Sequence, residues 1–92
     1  MTKVLITAEV EDSTKWEAGF RTHVDLFRNQ SISKPVEFAI NENNKVGVCF
    51  EPEDIDTYLL SMDSQETAEA MAFDGVKKET VQIYVLDKML QV

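Results

Sequence analysis

Apolar and polar positions along the chain follow two periods. Val4, Ile6, Ala8 and Val10 alternate with Leu5, Thr7 and Glu9, the two-residue period of a half-buried strand. The period then lengthens. Trp16, Phe20, Val24 and Phe27 recur every three or four residues, with Glu17, Arg21, Asp25 and Arg28 between them. At about 100° per residue, Trp16, Phe20, His23 and Phe27 fall within roughly 60° of one another, with Val24 at the edge of the stripe. This predicts one amphipathic helix. Asp12-Ser13-Thr14 offers three N-caps, and Thr14 with Glu17 has capping-box spacing. The helix should end near Asn29 to Ser31, since Pro35 forbids continuation.

Strand spacing returns at Val36, Phe38 and Ile40, and again at Val46, Val48 and Phe50. Between them Asn41-Glu42-Asn43-Asn44 is rich in residues that tolerate left-handed turns, so the two runs read as a hairpin. Pro52, Glu53 and Asp54 suit the first turn of a second helix, whose buried stripe should be Ile55, Tyr58, Leu59 and Met62. Asp63 and Glu66 form a fresh cap signature before a segment that buries Ala68, Met71 and Ala72, with Gly75 at its C-cap. Val81, Ile83 and Val85 alternate in a last strand. The tail Met89-Leu90-Gln91-Val92 is apolar enough that it should dock on something.

The order strand, helix, strand, strand, helix, strand predicts a single α+β domain over residues 1–92, with a ferredoxin-like βαββαβ topology. Its four strands make an antiparallel sheet with the helices on one face. The other sheet face would carry Leu5, Thr7, Glu9, Glu37, Ala39, Gly47, Cys49, Gln82, Tyr84 and Leu86. That set is too apolar for a fully wetted face and too polar for a core. A homodimer through this open face accounts for it, as does a half-wet exposed sheet.

Composition narrows the partners. With 92 residues the core is thin. A net charge of −8 repels nucleic acid and anionic membranes, so neither is an expected partner. The only cysteine, Cys49, cannot form an internal disulfide. It has no cationic neighbour close in sequence except Lys45, so it reads as a small buried residue. One Cys and one His exclude the usual zinc sets. The acidic runs at Glu9–Asp12 and Glu51–Asp54 lie at element ends and read as caps, so no metal is expected. No apolar run approaches a signal sequence or the ~20 residues of a membrane span, which points to a cytoplasmic protein.

The candidate chemistry centres on His23, the only histidine, set among aromatics on the face that must be buried. Near its unperturbed pKa of ~6.5 an imidazole can act as acid, base or hydrogen-bond donor. Trp16, Phe20, His23, Phe27, Tyr58 and Met62 are the expected lining of a cavity between the first helix and the sheet. The same aromatics would equally serve as core. No phosphate loop, Ser-His-Asp order or CxxC occurs, and no cofactor is expected.

With these elements placed, the chain resembles the dimeric α/β-barrel superfamily. The resemblance is carried by Trp16-x-x-x-Phe20-x-x-His23, by Asn44-Lys45-Val46 opening the third strand, and by the late Ser64…Met71…Gly75-Val76 segment. It is nearest to small uncharacterised members with that spacing, related to antibiotic-biosynthesis-monooxygenase and cyclase-like proteins. The superfamily includes cofactor-independent monooxygenases, polyketide cyclases, lactone isomerases and haem-degrading enzymes. The resemblance implies a dimeric barrel with a cavity between sheet and helices. Three functions stay open. One is binding a small, mostly apolar molecule such as an aliphatic acid, quinone or phenol. The second is cofactor-free catalysis with His23 as general base, and the third is a purely structural subunit.

Overall fold

The computed structural model describes residues 2–92. Four antiparallel strands, β1 (Lys3–Glu9), β2 (Glu37–Ile40), β3 (Lys45–Phe50) and β4 (Gln82–Leu86), lie in the order β2-β3-β1-β4. Strand β1 is therefore central, with Ile6 opposite Val48 on one side and Ile83 on the other. This is the predicted ferredoxin-like order. Alternation decides which face is covered: Val4, Ile6, Ala8, Val46, Val48 and Phe50 are buried under the helices. Their neighbours Leu5, Thr7, Gly47 and Cys49 turn to the open face, half-buried. The hairpin closes where Asn41 Oδ1 accepts from the Asn43 and Lys45 amides and Asn44 takes φ 56°, a conformation asparagine bears better than most residues.

The helical layer departs from expectation. The single helix predicted from Thr14 to Asn29 is two, α1 (Ser13–Phe20) and α2 (Val24–Asn29). The break has a local cause. Thr22 Oγ1 donates to the Gly19 carbonyl at 2.6 Å, while the Thr22 and His23 amides bond three residues back, to Gly19 and Phe20. A threonine that back-bonds in this way competes with the helical ladder. The chain then restarts with His23 as the residue before α2. Val24 is consequently turned outward, 49% exposed, and Leu26 turns in. Asp12, rather than the Thr14/Glu17 pair, caps α1, its Oδ1 accepting from the Thr14 and Lys15 amides.

The second helical arm is likewise split, into α3 (Ile55–Met62) and α4 (Gln65–Phe73). Asp54 caps α3, with Pro52 outside it, and Ser64 rather than Asp63 caps α4. The α3 stripe of Ile55, Tyr58, Leu59 and Met62 faces in as predicted. The α4 face does so only in part. Ala68 and Ala72 are exposed, whereas Thr67, Met71 and Asp74 point inward. Two hydrogen bonds that reach across the layer, from Thr67 and Asp74, set this phase. Exposing two alanine methyl groups costs little against them. Gly75 closes α4 at φ +74°, and the Val76 amide reaches back to the Met71 carbonyl, the glycine C-cap foreseen. The apolar tail meets no core within the protomer, with Met89 and Leu90 more than 80% exposed. No helix among the described residues is long and apolar enough to cross a membrane.

Candidate functional site

A continuous wall of rings is built from five elements, α1, α2, β2, β3 and α3. Trp16 stacks on Phe20 at 4.7 Å, Phe20 meets Phe27 at 5.1 Å, Phe27 meets the β3 residue Phe50 at 5.4 Å, and Phe50 meets Tyr58 at 5.4 Å. Phe38 closes the near end against Trp16 and Phe20. Edge and offset contacts of this kind each add about 0.5–1.5 kcal/mol beyond area burial. Large rings meeting at angles leave a cavity of about 80 Å³ between them and the sheet. It is small. An engineered apolar cavity that takes benzene is about 150 Å³.

Trp16, Phe20, His23, Phe27, Tyr58 and Met62 all border this one cavity, with Ala8 and Val48 among the sheet residues that floor it. The Tyr58 hydroxyl makes no hydrogen bond among the described residues, and burial raises its pKa.

The polar feature of the wall is a pair. His23 Nε2 lies 2.8 Å from Asp74 Oδ2, and the side chains are 19% and 4% exposed. His23 sits where the Thr22 turn interrupts the first helical arm. Asp74 caps the C-terminal end of α4, fifty-one residues later. An ionised carboxylate can only accept, so opposite ionised Asp74 the proton is on Nε2 and Nδ1 is left as a base. A histidine oriented by a buried carboxylate is the arrangement that directs general-base catalysis.

The pair is bought at a local cost. Asp74 Oδ1 is buried with no partner among the described residues. Burial is the first cause that raises the Asp74 pKa, opposed by the charge and hydrogen bond of His23. The carboxylate fits only because residue 19 has no side chain. A Cβ on Gly19 would stand 2.0 Å from Asp74 Oδ1 and 2.9 Å from Cγ. Glycine inside an eight-residue helix otherwise costs about 1 kcal/mol. Here its absent side chain is the seat of the carboxylate.

Sequence reasoning found the aromatics and the histidine but not Asp74, Gly19 or a buried amide, Gln30, which also lines the cavity. Gln30 Nε2 donates to Thr67 Oγ1 at 2.7 Å. The signal for Gln30 was present, seven residues after His23 and therefore on the same helical face. For Asp74 there was none, since an acid beside a C-cap glycine reads as a solvated helix end. Among the described residues no group of three or more His, Cys, Asp or Glu gathers.

No protein-family model matches the chain, and no curated protein matches it. Solved structures do. A presumptive antibiotic biosynthesis monooxygenase from Bordetella bronchiseptica superposes with a TM-score of 0.76 at 16% identity, over 97% of each chain. SnoaB, a cofactor-independent oxygenase from Streptomyces nogalater, gives 0.71 at 9% identity, over 99% of this chain and 95% of its own. A protein of unknown function from Nitrosomonas europaea gives 0.66 at 13% identity, over 99% of this chain and 94% of its own. The chain thus shares the ferredoxin-like fold of antibiotic biosynthesis monooxygenase-like proteins. Fold by itself does not assign chemistry, which rests on the site.

Two outcomes follow from the Asp74 seat. Gly19→Ala lowers stability by about 1–2 kcal/mol, although alanine is the better helix former. Adding Asp74→Ala to it restores most of the loss, both read from urea midpoints. A Gly19→Ala protein as stable as the parent would show that the carboxylate has room to move. Second, a folded-state pKa raised by burial means that the native state holds this proton more tightly than the unfolded chain. Its contribution is full below the ordinary 3.8 and is lost as pH rises through the folded value. The stability of Asp74→Asn relative to the parent therefore increases with pH from 3.8 upward. A difference independent of pH, or one of opposite slope, would contradict the burial argument.

Proposed function

We propose that the protein binds a small, mostly apolar organic molecule with a weakly acidic C–H or O–H in the cavity and removes that proton with His23, without a cofactor. The observation that carries this is the His23–Asp74 hydrogen bond of 2.8 Å in a largely apolar, ring-lined wall. His23 Nδ1 accepts the proton. The C–H or O–H bond of the ligand breaks, its electron pair stays on the ligand, and Asp74 stabilises the imidazolium through Nε2. Low polarity keeps water from competing for the proton. An enolate formed there is the kind of electron-rich anion on which oxygenation proceeds. A fold neighbour named a cofactor-independent oxygenase supports that direction. With about half the volume of one that takes benzene, the cavity favours short-chain ligands over aromatic rings.

The test reads the proton itself. In D2O, exchange of the acidic C–H of small ketones or β-keto acids, followed by NMR, is accelerated by the protein. His23→Gln loses about 10²–10⁴-fold of that acceleration while ligand-induced thermal shifts remain. Unchanged exchange in His23→Gln would remove the base role. Binding without any exchange would leave a carrier.

We infer also that the assembly is a homodimer through the open sheet face. Support comes from β4, where Tyr84 and Leu86 are each 48% exposed on that face, and from the unattached apolar tail. A small domain gains most from covering such surface. Light scattering of the parent protein gives a dimer mass, and Tyr84→Glu with Leu86→Glu gives a monomer. A parent monomer at its highest soluble concentration would rule the dimer out.

A further inference from the structure

The buried amide of Gln30 has a use that the acid–base pair does not explain. Gln30 is 4% exposed and borders the cavity. Its orientation is set by Thr67, also 4% exposed. Thr67 has one hydroxyl proton, and it goes to the Ser61 carbonyl at 2.7 Å. Thr67 Oγ1 therefore accepts from its other neighbours, from Ser64 Oγ at 3.0 Å and from Gln30 Nε2 at 2.7 Å. With Nε2 committed to Thr67, the amide is not free to turn over, and Oε1 is the end that is left. No donor among the described residues reaches Oε1, and the atom keeps some accessible surface.

An accessible acceptor in a largely apolar wall is open to a donor group that enters the cavity. His23 and Gln30 bracket α2, the first preceding it and the second following it. Seven residues of helix place their backbones about 10 Å apart on one face. The two polar groups therefore join the cavity wall from opposite ends of α2.

We propose that Gln30 is the specificity-determining residue of this site, its Oε1 accepting a hydrogen bond from a hydroxyl or N–H group on the ligand while the ligand's acidic end meets His23. The class of molecule is thus a small hydroxylated or amino-substituted ketone, and not a plain hydrocarbon-tailed acid. This rests on the reading of the cavity as a ligand site and adds to it the identity of the second ligand group.

Matched probes that exchange a methyl for a hydroxyl test it on the parent protein: 2-pentanone against 4-hydroxy-2-butanone, and 2-butanone against hydroxyacetone. An apolar cavity without an acceptor prefers the methyl compounds. With Gln30 in place the hydroxyl compounds bind about tenfold tighter by calorimetry or NMR titration. Gln30→Met, which keeps the length and removes the acceptor, reverses the order. The comparison on the parent protein stands whether or not that variant folds. A parent protein that binds the methyl members equally or better overturns the role of Gln30 and leaves the cavity reading intact, as does a Gln30→Met protein that keeps the hydroxyl preference. Failure of all four probes to bind overturns both.

Discussion

Of the two hydrogen bonds that join the halves of the helical layer, one sets an imidazole at a helix break against a carboxylate at a helix end, 2.8 Å apart under the rings. Much of the local structure follows from it. It fixes which face of α4 points inward, so that Asp74 and Thr67 are buried where two alanines were the more obvious candidates. It requires glycine at position 19, because any side chain there would occupy the space of the carboxylate. It also leaves Asp74 Oδ1 unsatisfied, an expense that a purely structural helix end would not incur. A solvated carboxylate would cost nothing, which is why a buried one argues for use.

The rings and the pair divide the work. The aromatic chain from Trp16 to Tyr58 crosses from α1 through β3 to α3, and it supplies both the cohesion of a thin core and the gap inside it. Interiors pack to the density of organic crystals, so a cavity of about 80 Å³ is a real departure in a domain of this size. Its polar groups come in two places, His23 with Asp74 near the start of α2 and Gln30 with Thr67 beyond its end. Helix α2 is short, six residues, and has no fully buried side chain. Phe27 seats it in the chain of rings, and the groups at its two ends hold it there. Ser31, at φ 72°, holds the far end, its Oγ accepting from the Asp54 amide.

The fold itself was legible in the chain. Strand alternation, the Asn-rich hairpin, the α3 stripe and the Gly75 cap are short-range patterns, and short-range physics decides them: a side-chain period, a turn preference, a left-handed cap. The aromatic stripe with His23 was legible for the same reason, even though the helix carrying it proved to be two. Thr22 broke it by taking the Gly19 carbonyl, a choice that intrinsic propensity does not reveal, since threonine occurs in unbroken helices too. On α4 Met71 faces inward as expected, but Ala68 and Ala72 were misread, because alanines at helical spacing look like a core face and nothing nearby in sequence says otherwise.

What the tertiary structure alone decided is the partner of the histidine. Asp74 lies fifty-one residues away, next to a glycine, with the composition of an ordinary solvated helix end. Gly19, read alone, is a weak point in a helix. Only when α1 and α4 are packed side by side do the missing side chain and the buried carboxylate become one feature. Periodicity along a chain reports which side of an element faces inward. It cannot report what stands opposite, because that depends on how far apart two layers settle and in which register. Here a space one methyl group wide decides it.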